Sequence, residues 1–138
     1  MSSPLVIDAS AALHLALATD PTPKLSPYHL IAPTIFLSER TSALASAAFR
    51  TAMPGDVLVE AFNRLEAMAV EIVETDRSHR QAALVLAQSL GWAKTYDAEY
   101  VVVAQRLGCP ILTTDDRLTR GARHLVEMLD PRTLDDRR

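Results

Sequence analysis

The stretch Pro4-Leu5-Val6-Ile7-Asp8-Ala9-Ser10-Ala11-Ala12-Leu13 is a short apolar run that ends on an acid and passes directly into a good helix start. That pattern predicts a strand followed at once by a helix. A second unit of the same kind lies near the other end, where Gly108-Cys109-Pro110 closes a helix and Ile111-Leu112-Thr113 reads as a strand running into Asp115 and Asp116. Between the two, helical and extended patterns alternate. Alternation of this kind predicts an α/β fold with a short parallel sheet flanked by helices on both faces.

Working outward from residues 4–13, Thr19 to Pro27 holds three prolines and small polar residues, so the first helix must stop in a loop there. A second helix is expected from about Ile35 to Arg50, after Pro33-Thr34. Pro54-Gly55-Asp56 breaks and restarts it. From Val57 to Ala69 the apolar residues recur with a 3.6-residue period, the mark of a helix with one buried face. Val70-Glu71-Ile72-Val73 alternates like a strand, and Thr75, Asp76 and Ser78 supply caps for a helix from about His79 to Leu90, closed by Gly91. Thr95-Tyr96-Asp97 opens a further helix whose centre, Val101-Val102-Val103-Ala104, is apolar on every side and is therefore expected inside the domain. Leu125 to Leu129 reads as a last strand, and the tail from Leu134 to Arg138 as frayed.

With 138 residues and a hydrophobic fraction of 49%, one domain spanning residues 1–138 with a single core is expected. Aromatics at 5% favour helices packed on a small sheet over a β-sandwich. No apolar run reaches the roughly 20 residues needed to cross a bilayer, and Met1-Ser2-Ser3-Pro4 lacks a charged leader region, so a cytoplasmic protein with no membrane partner is expected. The lone Cys109 reads as a small buried residue before a strand. A net charge of −3 does not attract a phosphate backbone by itself, unless several of the acids sit together and hold cations.

Ligands of open parallel sheets bind beyond the carboxyl ends of the strands, so the acids at those ends carry the interest. Asp8 and Asp115 each follow a strand, and parallel strands would place both on one rim. Asp97 falls in the first turn of the buried helix, and Glu39 lies inside the helix after Pro33. Each has a bland alternative: Asp8 can cap a helix, Asp115 or Asp116 can make a turn, Asp97 suits a helix dipole, and Glu39 can be a solvated surface residue. Ser10 and Thr113 can bond a carboxylate or serve as cap and strand former. Arg40, Lys94 and Arg117 can receive phosphates or make surface ion pairs. His14, His29, His79 and His124 have no metal-ligand spacing.

The order of these residues resembles the PIN-domain nucleases, in particular the VapC-type toxins of prokaryotic toxin–antitoxin pairs. Leu5-Val6-Ile7-Asp8-Ala9-Ser10-Ala11 is similar to the family's opening strand with its first acid and the hydroxyl two residues on. Leu37-Ser38-Glu39 with Ala43-Leu44 is similar to the segment carrying its second acid, although Ser42 and Arg40 depart from the usual pattern. Tyr96-Asp97-Ala98-Glu99-Tyr100 resembles its central block, and Ile111-Leu112-Thr113-Thr114-Asp115-Asp116 the segment with its last acid.

The resemblance implies a metal-dependent endoribonuclease in which Asp8, Asp97, Asp115 and Glu39 are catalytic and hold Mg²⁺ or Mn²⁺, supported by Ser10, Thr113 and Asp116. All-oxygen donors without His or Cys suit those hard cations. RNA as substrate, a cognate antitoxin protein and a homodimer are the implied partners. An RNA-processing nuclease and a catalytically silent PIN-like domain that only binds a protein partner are the alternatives. A phosphorylated receiver domain is a poor fit, because residues 1–7 hold no acid and no lysine follows Lys94; a dehalogenase-like phosphatase needs Asp-x-Asp where the chain has Asp8-Ala9-Ser10.

Overall fold

A computed structural model describes residues 2–18 and 25–134. Among these residues the chain forms a five-stranded parallel sheet, β1 (Ser3–Ile7), β2 (Tyr28–Pro33), β3 (Val70–Val73), β4 (Ile111–Leu112) and β5 (Met128–Leu129), in the order β3-β2-β1-β4-β5. Six helices flank it: α1 (Ala9–Leu17), α2 (Phe36–Thr51), α3 (Gly55–Ala67), α4 (Arg77–Ser89), α5 (Tyr96–Leu107) and α6 (Asp116–Ala122). Helix α1 packs with α2 and α3, while α4 packs with α5. The fold is the α/β class expected. Residues 19–24 of the proline-rich loop and residues 135–138 of the tail lie outside the described residues.

Strand β1 occupies the centre because Leu5, Val6 and Ile7 are fully buried between both helical layers and pair on either side with β2 and β4. A strand covered on both faces needs a continuous apolar run, and that is what these residues provide. From β1 the chain moves outward to β2 and β3, then crosses back to β4 and continues to β5. The strand order therefore reverses between β1 and β4. A crevice opens at such a switch point, at the carboxyl ends of the two strands.

Helix α5 is the crossing element and packs against β1, β2 and β4. Tyr100, Val101, Val102, Val103 and Ala104 are at most 4% exposed, as an all-round apolar helix centre predicts. Burying each such valine stabilises the fold by about 1.5–3 kcal/mol. Gly108, at φ 63°, ends the helix: its N–H donates to Gln105 O and the Cys109 N–H to Ala104 O. A glycine takes that left-handed turn without strain, and it aims the chain into β4. Gly91, at φ 72°, ends α4 in the same way, with Trp92 N–H donating to Ala87 O at 2.8 Å.

Three expectations need correction. The sequence reading places no strand between the proline-rich loop and α2, yet Tyr28–Pro33 forms β2. It is an interior strand with Leu30 to Pro33 buried, but its apolar run is short and Pro27 and Pro33 bracket it as they would a loop; Pro33 lies beyond the pairing with β1, which ends at Ile31. Leu134 is not frayed but 5% exposed against the core. Arg40 does form an ion pair, with half-exposed Glu66, but it is not a surface residue and not a phosphate receptor: it is 6% exposed, its guanidinium lies 5.2 Å from the Phe36 ring centre, and it also donates to Leu65 O at 3.1 Å. It fastens the last turn of α3 to the first turns of α2, where Glu39 sits.

Arg40→Ala should therefore destabilise the protein by about 2 kcal/mol, since the Leu65 carbonyl loses a charged donor while half-exposed Glu66 is readily rehydrated. Arg40→Met, which keeps the packing on Phe36, should recover part of that loss. Urea unfolding of both variants measures it, and an Arg40→Ala midpoint equal to that of the parent chain would refute the fastening role.

Candidate active site

The register of β1 and β4 sets the site. Ile7 pairs with Leu112, and the Asp8 N–H donates to Leu112 O at 3.2 Å, so Asp8 and Thr113 are neighbours one step beyond the sheet. Asp8 is 7% exposed and Thr113 is 2% exposed. The Thr113 hydroxyl donates to Asp8 Oδ2 at 2.5 Å, the Ser10 hydroxyl to Asp8 Oδ1 at 2.7 Å, and the Ala11 N–H to Asp8 Oδ1 at 3.0 Å. Asp8 thus caps α1 and belongs to the site at once.

A proton count fixes the direction of these bonds. The backbone N–H of Thr114 donates to Ser10 Oγ at 3.0 Å and that of Asp115 to Thr113 Oγ1 at 2.9 Å. Each hydroxyl therefore accepts from the chain after β4 and spends its only proton on Asp8. The 3.2 Å approach of Ser10 Oγ to Thr113 Oγ1 is then a contact between oxygens with no proton left to share. Three of the roughly four lone-pair positions of the Asp8 carboxylate are filled, leaving one.

Asp115 caps α6, accepting from the N–H groups of Arg117 at 2.9 Å and Leu118 at 3.4 Å. Glu39, in the first turn of α2, accepts from the Tyr100 hydroxyl at 2.6 Å. Asp97, in the first turn of α5, stands one helical turn before Tyr100. All four acids, Asp8, Glu39, Asp97 and Asp115, line one open groove of about 290 Å³ together with Ser10, Ser42, Ser46 and Tyr100. Asp116 does not line it; it is exposed, and its charge acts on Arg132. Tyr100 and Ser46 carry no sequence signal of their own, although Tyr100 could be found from its three-residue spacing after Asp97.

Electrostatics set this groove apart from a structural acid cluster. Burial pushes the Asp8 carboxyl up to about 6 despite its three donors, with the Asp115 charge adding to the rise. Burial also raises Glu39, helped by the charges of Asp97 and Glu99 and opposed by the Tyr100 hydroxyl. Asp97 is raised by burial and by Asp115, while Arg117 opposes the rise. None of the four acids forms a salt bridge among the described residues. Buried charges ordinarily come paired, so unpaired acids of like sign in one groove suit an added cation. Among the described residues no three Asp, Glu, His or Cys side chains close into a metal-binding group. The donor set is nevertheless entirely oxygen, which fits Mg²⁺ or Mn²⁺.

Parallel strands, a switch-point groove and unpaired carboxylates along it are the layout of a small α/β nuclease domain. The chain belongs to the PIN-domain family, whose model matches residues 5–124 and whose members are generally nucleases that use divalent metal ions. The fold is similar to the crystal structure of PAE2754 from Pyrobaculum aerophilum, with a TM-score of 0.75 and 25% identity, covering 98% of this chain and 88% of that one. It is also similar to VapC20 of Mycobacterium tuberculosis, a sarcin–ricin loop cleaving toxin, with a TM-score of 0.58, 16% identity and coverage of 84% and 93%. FitAB bound to an IR36 DNA fragment has a TM-score of 0.58, 13% identity and coverage of 92% and 94%. The last two likenesses are of fold. No curated protein matches the sequence, and no helix among the described residues is long and apolar enough to cross a membrane.

The raised Asp8 carboxyl predicts a pH effect on the metal-free protein. A folded-state value near 6 against 3.8 means that the folded chain holds this proton more tightly than the unfolded one. Stability should therefore fall as pH rises from about 4 to about 6, by about 3 kcal/mol for this group. Asp8→Asn, which keeps a helix-capping side chain, should flatten that fall and be the more stable form at pH 7. Urea midpoints measured in chelator across this range test it, and a parent chain that gains stability over the same interval would contradict the assignment.

Proposed function

We propose that residues 1–138 act as one PIN nuclease domain, a metal-dependent endoribonuclease that serves as the toxin of a toxin–antitoxin pair. The observation that carries this reading is the set of four groove carboxylates, supplied by separate elements and forming no salt bridge among the described residues. Asp8, Asp97 and Asp115 would hold Mg²⁺ or Mn²⁺, with Glu39 as a further ligand or as the group that orients the attacking water. A bound cation of this kind makes a water more acidic and offsets charge building on the phosphate.

The chain's own residues supply the rest. Ser10 and Thr113 lock Asp8 in one rotamer, and because their protons are committed to it, the carboxylate stays a pure acceptor toward the groove. Tyr100 holds one oxygen of Glu39, leaving the other free to accept a proton from water. The Asp115 cap fixes that carboxylate on the end of α6. Asp116, being exposed, is assigned only a contribution to the local negative field. Likeness in fold to a sarcin–ricin loop cleaving toxin supports RNA as the substrate class.

An antitoxin and a second copy of the chain are the partners proposed. Support comes from apolar side chains left exposed on α2, which carries Glu39, and on α3 packed beside it: Phe49 is 90% exposed, Val59 59%, Leu37 41% and Phe62 40%. An inhibitory segment laid on them and ending in an arginine could set its planar fork against the groove acids.

Cleavage of RNA should require added Mg²⁺ or Mn²⁺ and stop in chelator. Asp8→Asn and Asp97→Asn should each lower the rate by at least about 100-fold while remaining folded. Cleavage that persists in chelator, or full activity in either variant, sinks the reading. If the product of a neighbouring reading frame inhibits the enzyme, raising Mg²⁺ should weaken that inhibition, because arginine and cation compete for the same carboxylates; inhibition indifferent to Mg²⁺ would argue for a site elsewhere.

A further inference from the structure

A second cavity of about 510 Å³ opens beside the acid groove and shares Glu39 and Asp97 with it. Its other walls differ in chemistry. Lys94 and Arg117 are exposed and form no salt bridge among the described residues, and Trp92 and Tyr96 line the same space. The chain has one Trp and three Tyr, and it is otherwise poor in aromatic residues, so their meeting at one cavity is notable. Tyr96 is 46% exposed, which leaves a ring surface open to a ligand.

The aromatic wall is held in place by two glycines. Gly91 supplies the left-handed turn after α4, and the next residue, Trp92, is tied back by its N–H to Ala87 O. Its indole fills the space that a side chain at position 121 would need: a Cβ on Gly121 would lie 2.8 Å from Trp92 Cζ2 and 3.3 Å from Nε1. Helix α6 thus carries Arg117 on one turn and a seat for the indole on the next. The loop from Gly91 to Thr95 is pinned between α4 and α6, and it delivers Lys94, Tyr96 and Asp97 together.

We propose that this cavity is the seat of a nucleotide next to the scissile phosphate of a single-stranded RNA segment, with Lys94 and Arg117 on its phosphates and Tyr96 beside Trp92 as an aromatic platform for its base. The assignment rests on the nuclease reading of the neighbouring groove. Two cations next to a row of acids divide the surface by function: the acids take the cation, and the basic side chains take the flanking phosphates that the acids would repel. Aromatic stacking is indifferent to base identity, so the platform secures a single strand without demanding a sequence. The volume lies within the range of cavities that enclose small ligands. Gly121 is a positioning residue, acting through the indole.

The sole tryptophan makes the test direct. A single-stranded RNA oligonucleotide is titrated into Asp8→Asn protein with Mg²⁺ present, so that the strand stays intact, while Trp92 emission and the anisotropy of the labelled RNA are followed. Emission should be quenched in step with binding. Tyr96→Ala should weaken binding by about 5- to 100-fold and Tyr96→Phe should restore it. Lys94→Ala and Arg117→Ala should each reduce the slope of log affinity against log salt by about 0.7, a change that a packing role would not produce. Arg117→Ala leaves the α6 cap intact, because that cap uses the backbone N–H. Gly121→Ala should shift Trp92 emission and weaken binding together.

In the otherwise unaltered enzyme, Tyr96→Ala and Lys94→Ala should raise KM for RNA while changing kcat less than about threefold, and Arg117→Ala should raise KM as well. RNA that binds without quenching Trp92, or cleavage whose KM is the same in all three variants, overturns the subsite and leaves the nuclease reading standing. Binding with quenching and the reduced salt slopes, in a parent chain that never cleaves RNA, supports the subsite and overturns the nuclease reading instead.

Discussion

The pairing of β1 with β4, Ile7 opposite Leu112, is the constraint on which the site depends. It brings Asp8, the residue after one strand, against Thr113, the residue after the other, across a sequence separation of 105 residues. Two backbone N–H groups beyond β4 then orient the Ser10 and Thr113 hydroxyls so that both donate to Asp8. A slip of one residue along this pairing would turn every side chain of the strand to the opposite face and place an apolar residue where the carboxylate stands. Two-residue β4 is held against such a slip by fully buried Ile111 and Leu112 and by its bonds to β5.

Capping and catalysis are not competing explanations for Asp8 and Asp115. Each accepts N–H bonds at the start of a helix, and each lines the groove. Capping anchors the carboxylate without consuming all of its acceptor capacity, which is why helix starts after strands serve well as ligand sites. The cost is electrostatic. Burial raises Asp8, Glu39 and Asp97 together, and among the described residues none of them forms a salt bridge, the charge of Arg117 only partly opposing the rise of Asp97. The one buried arginine near by, Arg40, turns away to Leu65 and Glu66 and stabilises the framework. The fold thus keeps this buried cation out of the groove, which leaves the groove suited to a cation from solution.

The region between Gly91 and Asp97 joins two environments that the chain lists as one short loop. Its glycine turn and the indole seated on Gly121 make it a fixed wall between the acid groove and the cationic aromatic cavity. Restraint of this kind comes from packing by α6, an element more than twenty residues further along the chain. Fixed walls lower the ordering cost of a bound strand, which is the physical advantage of placing both charge types on one scaffold.

Local chemistry was legible in the sequence wherever a residue's neighbours along the chain decide its state. Strand β1, the buried centre of α5, the cap at Asp76 and the glycine stops at Gly91 and Gly108 follow from apolar runs, capping side chains and left-handed turns. The acids at the ends of β1 and β4 could be picked out for the same reason. Strand β2 could not, because its apolar run is only Leu30-Ile31-Ala32 and Pro27 and Pro33 bracket it as they would a loop, whereas the longer unbroken run of β1 stands out. Only the tertiary structure decided that Glu39 turns into the groove while adjacent Arg40 turns into the protein, since successive helix positions point about 100° apart and the packing of α2 on α3 chooses which faces inward. It also decided that Asp115 lines the groove while Asp116 does not, and that Trp92 rests on Gly121. Those outcomes depend on which surfaces meet across the fold, and no local propensity carries that information.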